Sequence, residues 1–379
     1  MELIGRRLTR GIGILRAQRA DVLAQRRIPA QSGVNPGGKR RGAGRAALIL
    51  GLLAALILPT EVFGARAVRV RLGTLAPKGS SSFMHLQEMG QTWKEISTGG
   101  AQLTTYADGT MGGEADMVRR MRIGQLQAGL LTTVGLAEID PAVTGLQYLP
   151  MMFRSLDEVD YVGRKLQPLL EERLEAKGFK VLFWGDAGWV RFFTKDPVVV
   201  PDDLRKSKLF VWAGNADAVS IFKSAGFNPV PLETVDILPN LQTGLITAVP
   251  MPPFIALASQ VDSVAPYMLD LNWAPLAGAL VMTKDTWDKI PAASQGAIVK
   301  AAIEAGKKVT ADNRKESDEA VEAMKKRGLK VQSVSPEVDA QWRVAVDGVY
   351  PSIRGRIVPE EIFDNVVSLL KEFRESGAR

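Results

Sequence analysis

The chain has 379 residues, 46% of them hydrophobic, which is enough for two domains and a sizeable core. It has no cysteine, and this excludes disulfides, thiolate metal sites, cysteine catalysis and a lipid-anchor cysteine; its one histidine, His85, leaves little for zinc chemistry or a Ser-His-Asp triad. The net charge of +7 is local: residues 1–67 hold 12 of the 48 Lys and Arg but 3 of the 41 Asp and Glu, so the remainder is nearly balanced and carries no electrostatic footprint for nucleic acid.

Residues 46–58 (AALILGLLAALIL) form an apolar run too short to span a bilayer comfortably and suited to the core of a signal peptide. Lys39, Arg40, Arg41 and Arg45 form its positive flank, and Ala65-Arg66-Ala67 supplies a small-x-small cleavage signature, which predicts a mature chain from Val68. Residues 1–67 therefore read as a signal peptide with a long basic leading region, and the protein as periplasmic. An uncleaved anchor is the alternative, and a translation start near Val34 would explain the length. General secretion fits better than a twin-arginine route, because Arg40-Arg41 is followed by Gly-Ala-Gly. No second run of 18 apolar residues follows.

Residues 68–75 (VRVRLGTL) alternate as a strand does. Ser81 or Ser82 is placed to cap a helix over 83–97. A strand is predicted at 102–106, a helix between the glycines of 112–129, and a strand at 128–134. This βαβαβ alternation implies a parallel sheet, with ligands bound beyond the carboxyl ends of its strands. The pattern then repeats with different residues: a helix at 156–177, strands at 179–184 and 190–194, a PDDL turn or short helix at 201–204, and a strand at 209–212. A helix at 216–225, an extended stretch at 229–232 and a helix at 234–243 kinked at Pro239 follow. Residues 276–283 read as a strand buried on both faces, 291–327 as a long helix lying across the molecule, 328–334 as extended and 359–376 as a closing helix.

From residue 72 almost to the C-terminus, the chain resembles the DctP-type periplasmic substrate-binding proteins of tripartite ATP-independent periplasmic (TRAP) transporters. The residues that carry the likeness come in the family's order: 106–129 (YADGTMGGEADMVRRMRIGQLQAG), 149–154 (LPMMFR), 201–204 (PDDL) with 208–211 (KLFV), 241–244 (LQTG) and 287–291 (WDKIP). No one motif is specific; their order and spacing are. The resemblance implies an α/β, two-lobed binding-protein fold with hinge strands and a long bridging helix. The expected division puts 68–187 and 276–315 in lobe I, and 188–275 and 316–379 in lobe II. It also implies a small ligand, commonly a carboxylate, held between the lobes and passed to TRAP membrane permease subunits, with no cofactor and no catalysis.

The departures all run one way. The family's clamping arginine is replaced by Phe210, residues 246–253 (ITAVPMPP) are almost wholly apolar where the family is polar, Trp273 stands near a customary histidine, and Gln127 stands at an acidic position. One arginine, Arg191, aligns with a second family arginine that often helps to bind carboxylate. The expected cargo is thus more apolar than a C4-dicarboxylate: an apolar monocarboxylate anchored by Arg191, or a neutral lipid-like molecule. The expected walls are Phe83, Trp184, Trp189, Phe210, Trp212, Met251, Phe254 and Trp273, with Asn215, Thr132 and Thr133 as polar contacts. A lipid-like carrier or sensor subunit on the same fold is the second reading. A periplasmic enzyme is the third, and it lacks a G-x-S-x-G, a metal-spaced cluster or a phosphate loop to support it.

Overall fold

The computed structural model describes residues 67–213 and 216–377. The signal-peptide segment and Asn215 therefore lie outside the described residues. None of the helices among the described residues is long and apolar enough to cross a membrane.

Among the described residues, nine strands form one sheet: β1 (Val68–Thr74), β2 (Ala101–Tyr106), β3 (Ala128–Thr132), β4 (Phe179–Thr194), β5 (Lys208–Trp212), β6 (Asn228–Leu232), β7 (Ala248–Met251), β8 (Tyr267–Thr283) and β9 (Lys330–Gln332). Their order is β2-β1-β3-β8-β4-β7-β5-β6, with β9 beside β8. β1 runs parallel to β2 and β3, and β5 runs parallel to β6 and β7. Each parallel group is one lobe. The two long strands β8 and β4 lie between the groups, antiparallel to each other, with β8 antiparallel to β3 and β4 antiparallel to β7, and so run through both lobes.

Residues 179–184 and 190–194 are therefore not two strands. The intervening Gly185-Asp186-Ala187-Gly188 reads as a turn in sequence, but it forms a bulge inside a single 16-residue strand. Glycine is needed there for space and for backbone: a Cβ at Gly185 would sit 2.8 Å from Thr310 Oγ1, and Gly188 has φ +72°. β8 likewise begins nine residues before the expected 276, and Pro275 is accommodated opposite Trp189 at the same irregularity.

Other boundaries shift for local reasons. The first helix is Ser81–Ile96, and its cap is Ser80, whose hydroxyl accepts from the Phe83 amide at 3.3 Å. The glycine-flanked helix is Glu114–Arg122, and it stops before Gly124 at φ +72°. The helix expected at 234–243 divides into a 3-10 turn, Thr234–Asp236, and a helix, Ile237–Thr243. Pro239 then falls in the first turn, where its missing N–H costs nothing.

The long helix Ala292–Lys326 runs about 50 Å at 1.5 Å per residue. Its apolar stripe advances by three or four residues, and the two ends enter different cores. Ile298, Ala302 and Ala305 pack with Val70, Leu72 and Trp93 of the first lobe, whereas Ala320 and Met324 pack with Phe193, Phe210 and Val249 of the second. The helix Pro336–Asp347, which the sequence left unassigned, belongs to the second lobe: Trp342 is fully buried and donates Nε1 to Val199 O at 2.8 Å. The C-terminal helix Glu360–Glu375 returns to the first. Arg374 pairs with Glu158 at 2.7 Å, and the Tyr161 and Phe373 rings stand 5.0 Å apart. The sequence places 316–379 together in the second lobe; within that stretch the helix Glu360–Glu375 packs on the helix Leu156–Ala176. The chain crosses back after the helix Pro336–Asp347, and Ile362, Phe363, Val366 and Leu370 complete the core under the helix Leu156–Ala176.

Candidate functional site

The carboxyl ends of β1 and β3 in one lobe and of β5 and β7 in the other face a common cleft of about 220 Å³. From the first lobe come Thr74–Pro77 after β1, Ser80 and Ser82 at the start of the first helix, and Thr132 at the end of β3. The second lobe supplies Trp212, Pro250, Met251, Pro252 and Phe254. The floor is the β4 bulge with Val190, opposite Leu276 and Ala277 of β8.

The polar groups on these walls are largely spent on the fold. Glu114 is buried; its Oε1 accepts from Thr132 N at 2.8 Å, and its Oε2 accepts from Thr132 Oγ1 at 2.6 Å and Gly135 N at 2.8 Å. Burial raises its pKa from the ordinary carboxylate value, against the opposing effect of those hydrogen bonds. The Thr132 hydroxyl also accepts from Val134 N at 3.2 Å, and Thr133 donates to Gln147 Oε1 at 2.6 Å. Asn313 accepts from Ser82 at 2.7 Å and donates to Asp186 O at 3.3 Å.

Asp186 is the second carboxylate on the cleft wall, and it is neutralised from behind. Arg314 of the bridging helix donates to its Oδ1 at 3.0 Å and to its Oδ2 at 2.6 Å, and reaches Asp160 with the same guanidinium. Burial works against the charged guanidinium, but the hydrogen bonds to Asp160 and Asp186 outweigh it and hold Arg314 above its ordinary pKa. Sequence reading missed this cluster. Its members lie on three separate elements, and no local motif links them.

The predicted site residues divide between the two faces of the sheet. Trp212, Met251, Phe254 and Thr132 line the cleft. Phe210 is buried at 1% exposure and meets Trp212 edge-on at 5.3 Å; with Trp273 it faces a second, adjoining cavity. Phe83 is buried in the first helix and is not on the cleft wall. Trp184 and Trp189 face away: the Trp184 Nε1 donates to Glu171 at 2.9 Å, and Trp189 lies beside Arg314 and Lys315. Arg191 faces away as well. It is ion-paired with Asp270, donates to Asn272 Oδ1 at 3.1 Å, and is enough buried that desolvation lowers its pKa, with Asp318 opposing. Strand alternation is the cause: Val190 points into the cleft, so its neighbour cannot. Val190 was absent from the sequence reading, and the glycines around the bulge were the signal that could have found it. Among the described residues lining the cleft there is no Lys, Arg or His. His85 is engaged elsewhere, its Nε2 2.7 Å from Asp312 Oδ2.

Two lobes joined by continuous strands around one cleft define a ligand-capturing protein of the periplasmic binding type. The chain belongs to the DctP family, bacterial extracellular solute-binding protein family 7, whose model matches residues 72–355. It is 23% identical over 292 residues to the C4-dicarboxylate-binding periplasmic protein DctP of Rhodobacter capsulatus, covering 75% of this chain and 84% of that one. It is 26% identical over 272 residues to the 2,3-diketo-L-gulonate-binding periplasmic protein YiaO of Escherichia coli, covering 70% and 81%. In fold it is similar to the sugar acid binding protein DctPAm of Advenella mimigardefordensis, crystallised with galactonate, with a TM-score of 0.75, 21% identity and coverage of 81% and 98%. The chain is accordingly a TRAP-type substrate-binding protein, and the proteins of this family are solute binders of the periplasm.

Proposed function

We propose that this protein captures a neutral, predominantly apolar small molecule between its lobes and delivers it to TRAP membrane permease subunits after export directed by residues 46–67. The observation that carries this reading is the absence of a cationic side chain among the described cleft residues, with Arg191 turned to the other face. The named relatives bind acids. A dicarboxylate here would lie unpaired beside Glu114, at a cost of several kcal/mol, whereas apolar contact with Trp212, Met251 and Phe254 contributes roughly 25 cal/mol per Å². An apolar monocarboxylate depends on Arg191 as its anchor, so the neutral cargo is favoured. A lipid-like carrier on the same fold would use the same cleft. We place the division of the lobes at the bulge, between 187 and 188 on β4 and between 275 and 276 on β8, where register is lost.

Calorimetry tests the reading directly. Protein stripped of copurifying ligand should show no binding of succinate, malate or fumarate below millimolar concentration, and mass spectrometry of the stripped material should show an uncharged, carbon-rich compound. Submicromolar binding of any C4-dicarboxylate would refute it.

A further inference from the structure

Behind Trp212 lies a second cavity of about 110 Å³. It shares Val190, Trp212 and Pro250 with the cleft, so the two spaces adjoin at one indole. The walls come from both lobes and from the crossover between them: Phe210 on β5, Ile221 and Phe222 on the helix Ala216–Ser224, Trp342 and Val346 on the helix Pro336–Asp347, and Ile353 and Ile357 beyond it. No described lining residue is charged. Gln147 is at its edge, with Oε1 already accepting from Thr133.

Protein interiors are packed like organic crystals, with few voids larger than a water molecule. A largely apolar space of this size, adjoining a ligand cleft and walled by aromatic rings, is many times larger than a water and is therefore not a packing residue of the fold. It suits an apolar group better than a charged one, because the walls offer a carboxylate no cation and few polar side chains, Gln147 and Tyr148 beside the indoles. We infer that the annex behind Trp212 is a subsite for the aliphatic tail of an amphipathic cargo whose head group occupies the interlobe cleft. This rests on the proposed apolar cargo and sharpens it: the ligand is elongated and bends past Trp212, and chain length becomes a determinant of affinity. Phe210, in the place of a cation, is then the wall that makes the annex apolar.

The test is a series of 4-alkylphenols, from 4-methylphenol to 4-octylphenol, titrated by calorimetry into the stripped full-length mature protein below the solubility limit of each probe. Each methylene buried should tighten Kd by about fourfold, the ratio that corresponds to ~0.8 kcal/mol per CH₂. Ala345→Phe and, separately, Ala225→Phe place a ring in the annex from two different walls. Either should flatten the series, so that 4-octylphenol loses more affinity than 4-methylphenol does. Using two variants guards against one that fails to fold, and the wild-type series stands without either. If 4-methylphenol binds and the series is flat, the annex inference is overturned while the apolar cleft survives. A rise that persists in both filled variants also overturns it, because the tail must then lie elsewhere. If no member of the series binds, the apolar-cargo reading itself falls.

Discussion

Replacing Arg314 by methionine removes the guanidinium that ties the bridging helix to the β4 bulge but keeps most of the apolar stem of the side chain. Asp186 is left with one partner, Gly188 N at 2.9 Å, and its side chain is only 7% exposed. Removing one member of a buried pair costs about 3–5 kcal/mol, because the remaining charge is desolvated and unpaired. Arg314 itself is 22% exposed, which places the expected loss near the lower end, at about 3 kcal/mol. Asp160, 38% exposed, is freed to water and adds about 1 kcal/mol or less. Most of the cost therefore resides on Asp186, and the double variant Arg314→Met/Asp186→Asn should recover about 2 kcal/mol of it. The asparagine carbonyl can still accept from Gly188, and no charge remains buried. Urea unfolding followed by far-UV circular dichroism, with equal m-values across the set, measures these differences. A single variant that loses less than about 1 kcal/mol, or a double variant as unstable as the single, would show that the cluster does not act as a buried pair.

Arg191→Met should leave cargo affinity within about twofold while lowering stability, because it breaks the Asp270 and Asn272 contacts outside the cleft; a tenfold loss of affinity in calorimetry would return Arg191 to the site. Trp342→Phe should cost about 2 kcal/mol in the same urea assay, from lost ring volume and an unpaired Val199 carbonyl, and an unchanged midpoint would argue against the hydrogen bond. Acid should loosen the C-terminal helix. Burial acts against the Glu158 carboxylate, but hydrogen bonds from Arg374 and from the Arg154 amide hold its pKa below the ordinary 4.5. The stabilisation is thus complete above 4.5 and is lost as pH falls through the lower folded value. Hydrogen exchange of 360–375, corrected for intrinsic rates, should show protection that falls in this range and is already low in Arg374→Ala; protection that is pH-independent in the wild type contradicts the linkage.

Much of the fold is legible because its signals are local. Period-two alternation marks β1, glycines bracket the helix Glu114–Arg122, and the stripe from Ile298 to Met324 advances at helical spacing. Elements defined by what lies opposite them are not legible. β4 is one strand because β8 holds both of its halves in a single ladder across the bulge, yet Gly185-Asp186-Ala187-Gly188 carries every mark of a turn. The C-terminal helix has a clear apolar face, but its sequence does not say which lobe that face meets; Glu158 and Arg374, 216 residues apart, decide it.

The same distinction explains the site. Trp212, Met251 and Phe254 lie on the cleft wall because they sit near the ends of strands, where this architecture gathers ligand contacts whatever the register. Arg191 was misplaced because it lies within a bulged strand, where one residue exchanges the faces of the sheet. Between Asp186 and Trp189, and again between Val190 and Phe192, the pairing with β8 slips, and the outcome is Val190 inside and Arg191 outside. The consequence is chemical as well as geometric. With Arg191 inward, the cleft would hold a guanidinium facing Glu114 and would admit an acid. With Val190 inward, it holds Glu114 and an ion-paired Asp186 against apolar walls, and the described lining offers an anion no cation. The selectivity against acids proposed for this protein thus rests on the register of the bulged strand together with Phe210 in place of the family's arginine.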